Sequence, residues 1–345
     1  MKSDRFSLPW SDTWEEPVAK TWKEWEKPLL ELEDNIKKLR ELAEKEKDSQ
    51  RQAELTEKAD AYQDKLEGFI QVRYSRLGPW EKVLVARSEL RPYTMDYISA
   101  CFTEFIELDG DRRYGADHAV VAGPAKLDGR SVMIVGQQKG RNIQERTHRN
   151  FAMSKPEGYR KAIRMFEMAE RFRLPVITFV DTPAADPGVE SESRGISEAI
   201  AAGMLAMFQL TVPAITIIIG EGGSGGAIGI AAANRVLMLE HSIYSVIPPE
   251  GCAAILWRAP EKGPQAAAAL KLTAQSADEL GLIDRIIPEP FGGAHRNPAE
   301  AAHSVKAALL ETLADLDKLS PSEVKADRYN KYRVMGVYGS TNDPS

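Results

Sequence analysis

Apolar residues recur three and four apart along residues 22–47, at Leu29, Leu32, Ile36, Leu39 and Leu42 among Glu and Lys, which predicts an amphipathic helix. A second begins near Gln52, with Leu55, Ala59, Tyr62, Leu66 and Phe69 on one face, and the polar link KEKDSQRQ joins the two as a helical hairpin over 21–77. Residues 78–118 hold two runs that read as helical, GPWEKVLVAR and RPYTMDYISACF, and then a polar loop, FIELDGDRRYGAD. From there the period switches. Short apolar runs at 119–121, 131–135, 175–180, 214–219 and 236–239 predict strands, while 157–172, 195–208, 225–233 and parts of 266–280 predict helices. Such alternation implies an α/β domain over 78–320 with mostly parallel strands, whose site lies beyond their carboxyl ends. Residues 301–319 return to helical spacing. Residues 1–20, with Trp10 and Trp14 and no periodicity, are expected to form an irregular arm, and 321–345 a loosely ordered tail.

Three strand ends carry unusual loops: GQQKGRN after 135, DTPAADPG after 180 and GEGGSGG after 219. If those strands are neighbours, the loops meet in one crevice. The last loop is glycine at five of seven positions and joins a β-branched strand to a helix, a turn that aims backbone N–H groups and the positive end of a helix dipole at one point. Several chemistries share that geometry. Gly220, Gly222 and Gly225 spell the dinucleotide pattern G-x-G-x-x-G, with Glu240 closing the next apolar run as a ribose ligand would. Gly222, Ser224 and Gly226 satisfy the nucleophile-elbow pattern, with Asp284 and His295 following in hydrolase order, although His295 lies in a loop. Main-chain N–H groups of Gly222 and Gly223 can form an oxyanion hole with no reacting side chain at all. A turn whose glycines merely let strand and helix touch completes the set, and spacing alone leaves all of these open.

Composition narrows the class. The 345 residues carry a net charge of −6, with 43% hydrophobic and 28% charged residues, as expected of a soluble globular protein whose main partner is not nucleic acid. Two cysteines, Cys101 and Cys252, are too few for a disulfide framework or zinc ribbon and are expected to be buried apolar residues. No stretch has signal-peptide character or approaches the ~20 apolar residues of a membrane span, which points to the cytoplasm.

The string GEGGSGGAIGIAAANRVLMLEHSIYSVIPPEGCAAILWR, taken with ITFVDTP, RPYTMDYI, KPEGYRKA and IIPEPFGGAHR, closely resembles the alpha-subunit family of bacterial acetyl-CoA carboxylase carboxyltransferases, from about residue 22 to 318. The resemblance implies a crotonase fold, a spiral of ββα units with backbone oxyanion holes. It implies a beta subunit of the same fold that carries the zinc ribbon, an assembly of two alpha and two beta subunits, and no metal in this chain. It further implies that carboxybiotin, on a biotin carboxyl carrier protein, gives its carboxyl group to the coenzyme A thioester acetyl-CoA to form malonyl-CoA. By the same resemblance Gly222 and Gly223 are the oxyanion pair for biotin. Lys139, Ala184, Ala185, Asp186, Gly188, Ser224, Gly225 and Ser245 are the residues expected around biotin and substrate.

The chain departs from the family pattern in a concentrated way. GHQKG becomes GQQKG through Gln137, NFGMP becomes NFAMS through Ala152 and Ser154, DTPGAYPG becomes DTPAADPG through Ala184 and Asp186, and SPEG becomes PPEG through Pro248. A methyl group at Ala184 and a negative charge at Asp186 both oppose an anionic carboxybiotin unless the surroundings compensate. Three alternatives to the main expectation therefore stand: a paralogous subunit with a different acyl-CoA, a mainly structural subunit, and an NAD-binding oxidoreductase built on the 220–225 glycines.

Overall fold

The computed structural model describes residues 21–336; the expected arm, with Trp10 and Trp14, and the last nine residues lie outside the described residues. Two long helices open the chain, α1 (Trp22–Lys45) and α2 (Ser49–Tyr74). Each starts on a side chain that accepts otherwise unpaired N–H groups: Thr21 from Glu24, and Asp48 from Gln50 and Arg51. Trp22, Trp25, Leu29 and Ile36 pack against Leu66, Ile70 and Tyr74, together with Trp80, Val83 and Leu84 of α3 (Pro79–Ala86). Leu42 and Phe69, on the predicted stripes, stay exposed.

A buried carboxylate fixes this hairpin to the body. Glu26 is fully buried; it accepts from the Tyr74 hydroxyl and from Arg296 at 2.8 Å, with His295 at 3.4 Å. Glu26→Ala leaves the Tyr74 hydroxyl and Arg296 short of a partner, so a loss of roughly 1–3 kcal/mol is expected. Acrylamide quenching of Trp22 and Trp25 should rise with it; unchanged quenching would show that the hairpin is held by other contacts.

Helix α4 (Thr94–Cys101) precedes a hairpin of β1 (Val120–Leu127) and β2 (Arg130–Gln137). Asp128 and Gly129 both take positive φ, the two-residue turn that matches strand twist. The chain continues through α5 (Ile143–His148), α6 (Pro156–Phe172), β3 (Val176–Thr182), α7 (Val189–Ser193), α8 (Ile196–Gln209) and β4 (Ala214–Gly223). Next come α9 (Ser224–Ile228), β5 (Arg235–Leu239), β6 (Ile243–Ser245), α10 (Pro249–Trp257), α11 (Gly263–Leu270), α12 (Ala274–Glu279) and β7 (Arg285–Ile287). Helices α13 (Pro298–Leu316) and α14 (Pro321–Arg333) close the described chain.

The strands form one sheet in the order β1-β2-β3-β4-β5-β7, antiparallel between β1 and β2 and parallel from β2 onward, with β6 paired in parallel to the far end of β4. Both faces are covered, as a parallel sheet requires. On β4, Ala214 and Ile218 pack toward α6, α8 and α12, whereas Ile215, Ile217 and Ile219 pack toward α4 and α13. The β-branched run therefore reads as continuous although its residues alternate between two cores.

Several sequence expectations need correcting. The helix expected over 225–233 is only α9, because after Ile228 the bonding tightens to single turns, Ile230 N–H to Ala227 and Ala231 N–H to Ile228, each at 3.2 Å. The 266–280 region is two helices separated at Lys271, which takes φ +50°. Strands β6 and β7, each three residues long, escaped periodicity altogether. The tail expected to be loosely ordered from 321 instead forms α14, anchored by Arg328, which is fully buried and donates to the carbonyls of Met207, Leu210 and Val212 at 2.8–3.0 Å.

Candidate active site

Strands β2, β3 and β4 are adjacent and parallel, so the three loops expected to meet do meet at their carboxyl ends. Between Val180 and Thr182 the register shifts: Val180 pairs with Ile218, but Thr182 pairs with Gly222. The chain of β4 bulges there, and the bulge brings the Glu221 N–H to Asp181 Oδ1 at 2.9 Å.

A buried ion cluster lies beneath the loops. Lys139 Nζ sits 2.7 Å from Asp181 Oδ1 and 2.9 Å from Glu221 Oε2, while Arg87 reaches Glu221 at 2.8 Å and Glu250 at 2.5 Å. Lys139, expected around biotin and substrate, is thus engaged by two carboxylates of its own chain. Burial alone would favour its neutral form, but Asp181 and Glu221 outweigh that and hold its pKa above the ordinary value. For Glu221 burial works against ionisation, yet Lys139 and Arg87 bring the carboxyl down to about 2. Asp181 goes the other way: burial raises it in spite of Lys139, so it is the member that takes up a proton first.

These directions set an acid response. A carboxyl whose pKa is 4.5 unperturbed and about 2 in the fold contributes stability above pH 4.5, and that stability is lost as pH falls toward 2. Glu289, buried against Arg91 at 2.7 Å and also lowered to about 2, behaves likewise. Asp181 contributes with the opposite sign, at higher pH. Unfolding free energy, followed by circular dichroism in urea, should therefore fall steeply between about pH 4.5 and 2; a flat profile there would contradict both ion pairs.

The DTPAADPG loop is tied to its neighbours. Asp186 accepts from Asn150 at 3.2 Å and from the Ser191 hydroxyl, and its N–H donates to the Ser154 carbonyl at 3.0 Å. These neutral donors fix the direction of the carboxylate where the family pattern has an aromatic ring. Gly188 begins α7 as its N-cap, and Ala184 and Ala185 lie against Gly226, where a Cβ would come within 2.6 Å of their backbone. Asn150, Phe151 and Ala152 all take positive φ, so Ala152 occupies the left-handed region that glycine fills at lower cost. Pro248 is the N-cap of α10.

A cleft of about 360 Å³ opens beside the turn, lined by Ser224, Gly225, Ile228, Tyr244, Ser245, Val246 and Leu282. Ser224 has φ +52°, a strained conformation at the junction of strand and helix. The Ser245 hydroxyl donates to the Ile247 carbonyl at 2.7 Å.

Gly222 and Gly223, expected to supply the oxyanion amides, are placed differently. Both are buried residues of β4, not of the turn, and neither lines the cleft. Gly222 pairs with Thr182 on one side and Tyr244 on the other, and Gly223 pairs with Ser245. Gly222 is thus held between β3 and β6, while Gly223 has a ladder partner only on the β6 side. The missed signal was β6: its three residues extend the ladder past the point where the glycines seemed to begin a turn.

The two side-chain alternatives lose their partners. Gly220 and Gly222 lie in the strand rather than in a phosphate-binding turn, and the Glu240 carboxylate accepts from the Glu289 N–H at 3.2 Å. Asp284 accepts from the Val236 N–H at 2.7 Å and pairs with Lys331, while His295 sits against Trp22 and Tyr74 at the hairpin, so neither attends Ser224. Both cysteines are buried and free. Among the described residues no group of three His, Cys, Asp or Glu could hold a metal ion, and no helix is long and apolar enough to cross a membrane.

Comparison with known proteins follows the same lines. The family described as acetyl co-enzyme A carboxylase carboxyltransferase-like matches residues 22–336. The acetyl-coenzyme A carboxylase carboxyl transferase subunit alpha of Geobacter metallireducens is 52% identical over 315 residues, covering 91% of this chain and 97% of that protein. That of Acaryochloris marina is 50% identical over 91% of this chain and 95% of its own length. In structure, the chain resembles the beta subunit of geranyl-CoA carboxylase from P. aeruginosa, with a TM-score of 0.51 and 17% identity over 69% of this chain and 45% of that one. It also resembles a Pseudomonas malonate decarboxylase hetero-tetramer in complex with coenzyme A, with a TM-score of 0.52 and 20% identity over 64% and 89%. These likenesses show the crotonase-type α/β fold. With half its residues identical across nearly the full length of such relatives, the chain belongs to the family of acetyl-CoA carboxylase carboxyltransferase alpha subunits.

Proposed function

We infer that the chain is the alpha subunit of the carboxyltransferase component of acetyl-CoA carboxylase, where the carboxyl group of carboxybiotin passes to acetyl-CoA to give malonyl-CoA. The observation that carries this assignment is the family match over 22–336, which spans the sheet, the converging loops and the cleft. Biotin, delivered on a carrier protein, supplies the carboxyl group and the base for the α-proton of the thioester. This chain supplies positioning and charge stabilisation.

The cleft fits that task. It offers the Ser224 hydroxyl, main chain at Gly225, and apolar walls at Ile228, Val246 and Leu282. The donors for a developing oxyanion are the amides of Ser224 and Gly225, which start α9 and line the cleft. This moves the oxyanion donors two residues beyond Gly222 and Gly223. A five-residue helix has a small dipole, so the N–H groups themselves must do most of the stabilising. Removing one such donor typically costs on the order of 3 kcal/mol in the transition state.

One chain closes only one side of the site. Val246 is 73% exposed, and Ile228 and Leu282 are each more than a third exposed beside the cleft. A beta subunit carrying a zinc ribbon covers this surface and holds the acyl-CoA, in an assembly of two alpha and two beta subunits that works in the cytoplasm. The test is reconstitution with the beta subunit, carboxybiotin and acetyl-CoA. Malonyl-CoA formation is expected. An intact complex active only on another acyl-CoA would establish the paralogue, and an intact complex with no transfer would overturn the assignment.

A further inference from the structure

Gln137, where the family pattern has histidine, is fully buried at the end of β2. Its Oε1 accepts the Asp181 N–H at 3.1 Å, and its Nε2 donates to the Gly226 carbonyl at 2.7 Å. The orientation of the amide is fixed by chemistry, since a backbone N–H must face the oxygen. One neutral side chain thus ties β2, the β3 loop and α9 together.

The Gly226 carbonyl has a second donor, the Tyr159 hydroxyl at 3.2 Å. It is drawn toward these two side chains. The Ile230 N–H, which a continuing α-helix would direct to Gly226, goes to Ala227 at 3.2 Å instead. The Gly226–Ala227 peptide is therefore oriented by Gln137 and Tyr159, which pins α9 at its third residue, next to the cleft-lining Ser224 and Gly225.

We propose that Gln137 is a positioning residue for the reaction, holding α9 against β2 and β3 beside the cleft and doing so without a titratable group. This rests on the carboxyltransferase assignment. A neutral imidazole can also present one donor and one acceptor, but an imidazolium presents two donors and would set one against the Asp181 N–H. Replacing histidine by glutamine removes that proton dependence.

The test uses the reconstituted complex and two variants. Gln137→Leu keeps the size and loses both bonds, so kcat should drop roughly 10–100-fold with KM for the thioester within about twofold. Hydrogen exchange should quicken in peptides covering 222–230 while the rest of the sheet stays protected. Gln137→His should approach the wild-type rate at pH 8. The ratio of its kcat to that of wild type should then fall about tenfold per pH unit below the imidazole pKa, near 6.5 when unperturbed. A Gln137→Leu variant that keeps kcat within about twofold overturns the proposal, as does a flat ratio for Gln137→His from pH 5.5 to 8.5. If the wild-type complex transfers no carboxyl group, the functional assignment fails by itself. Hydrogen exchange at 222–230 then still decides whether Gln137 holds the turn, and unchanged exchange would overturn that.

Discussion

Lys139→Met is expected to lower unfolding free energy by roughly 3–5 kcal/mol at pH 7, far more than an exposed lysine would. The reason is what it leaves behind. The ammonium lies within 2.9 Å of both Asp181 and Glu221, whose side chains are each less than a tenth exposed. Glu221 keeps Arg87 at 2.8 Å, but Asp181 keeps only backbone help, the Glu221 N–H at 2.9 Å. Burial already raises the Asp181 carboxyl, and without Lys139 it rises further. A group with a raised folded pKa binds more protons in the fold than in the unfolded chain, so the variant gains stability as pH falls and the gap to wild type narrows. Urea titrations at pH 7 and pH 5 would show this, and Lys139→Met combined with Asp181→Asn should recover part of the loss. A deficit under about 1 kcal/mol, or one that widens with acid, would mean that no buried cluster forms.

Gly223→Ala is expected to be nearly as severe, by a different cause. A Cβ there would lie 2.0 Å from the Pro183 carbonyl oxygen, 2.3 Å from its carbon and 2.8 Å from the Thr182 oxygen. All three are backbone atoms, so the whole β3 loop must retreat rather than one side chain turning. A cost of roughly 3 kcal/mol is expected, and misplacement by about 1 Å at the site should reduce carboxyl transfer about 100-fold. Gly225→Ala is the internal comparison for stability: its Cβ meets only the Ile200 Cδ1 at 3.3 Å, the movable end of a side chain. It should stay within about 1 kcal/mol of wild type in thermal unfolding. If Gly223→Ala matched wild type in both melting and transfer, the close packing of β4 on the β3 loop would be refuted.

Gly223 also shows where sequence reasoning stopped. Its glycine is needed for approach between backbones. The pattern GEGGSGG marks a place where two chain segments come unusually close, and it cannot say which glycines face a neighbour and which face a cleft. That depended on β6, three residues of which pair with Glu221, Gly222 and Gly223. A strand of that length has no periodicity to detect. Arg328 tells the same story at the other end: a polar helix carries a guanidinium whose burial is sensible only beside the carbonyls of Met207, Leu210 and Val212.

The hairpin, the β–α alternation and membership of the family were all carried by the sequence, because local periodicity and long motifs survive without coordinates, whereas the adjacency of the three loops came from the strand order. Tertiary structure alone decided that Lys139 is spent on Asp181 and Glu221, that Asp186 accepts hydrogen bonds from Asn150 and Ser191, and that the first turn of α9 rather than the end of β4 borders the cleft. Hydrogen bonds and ion pairs act over about 3 Å, and residues far apart along the chain reach that distance only once the sheet has closed.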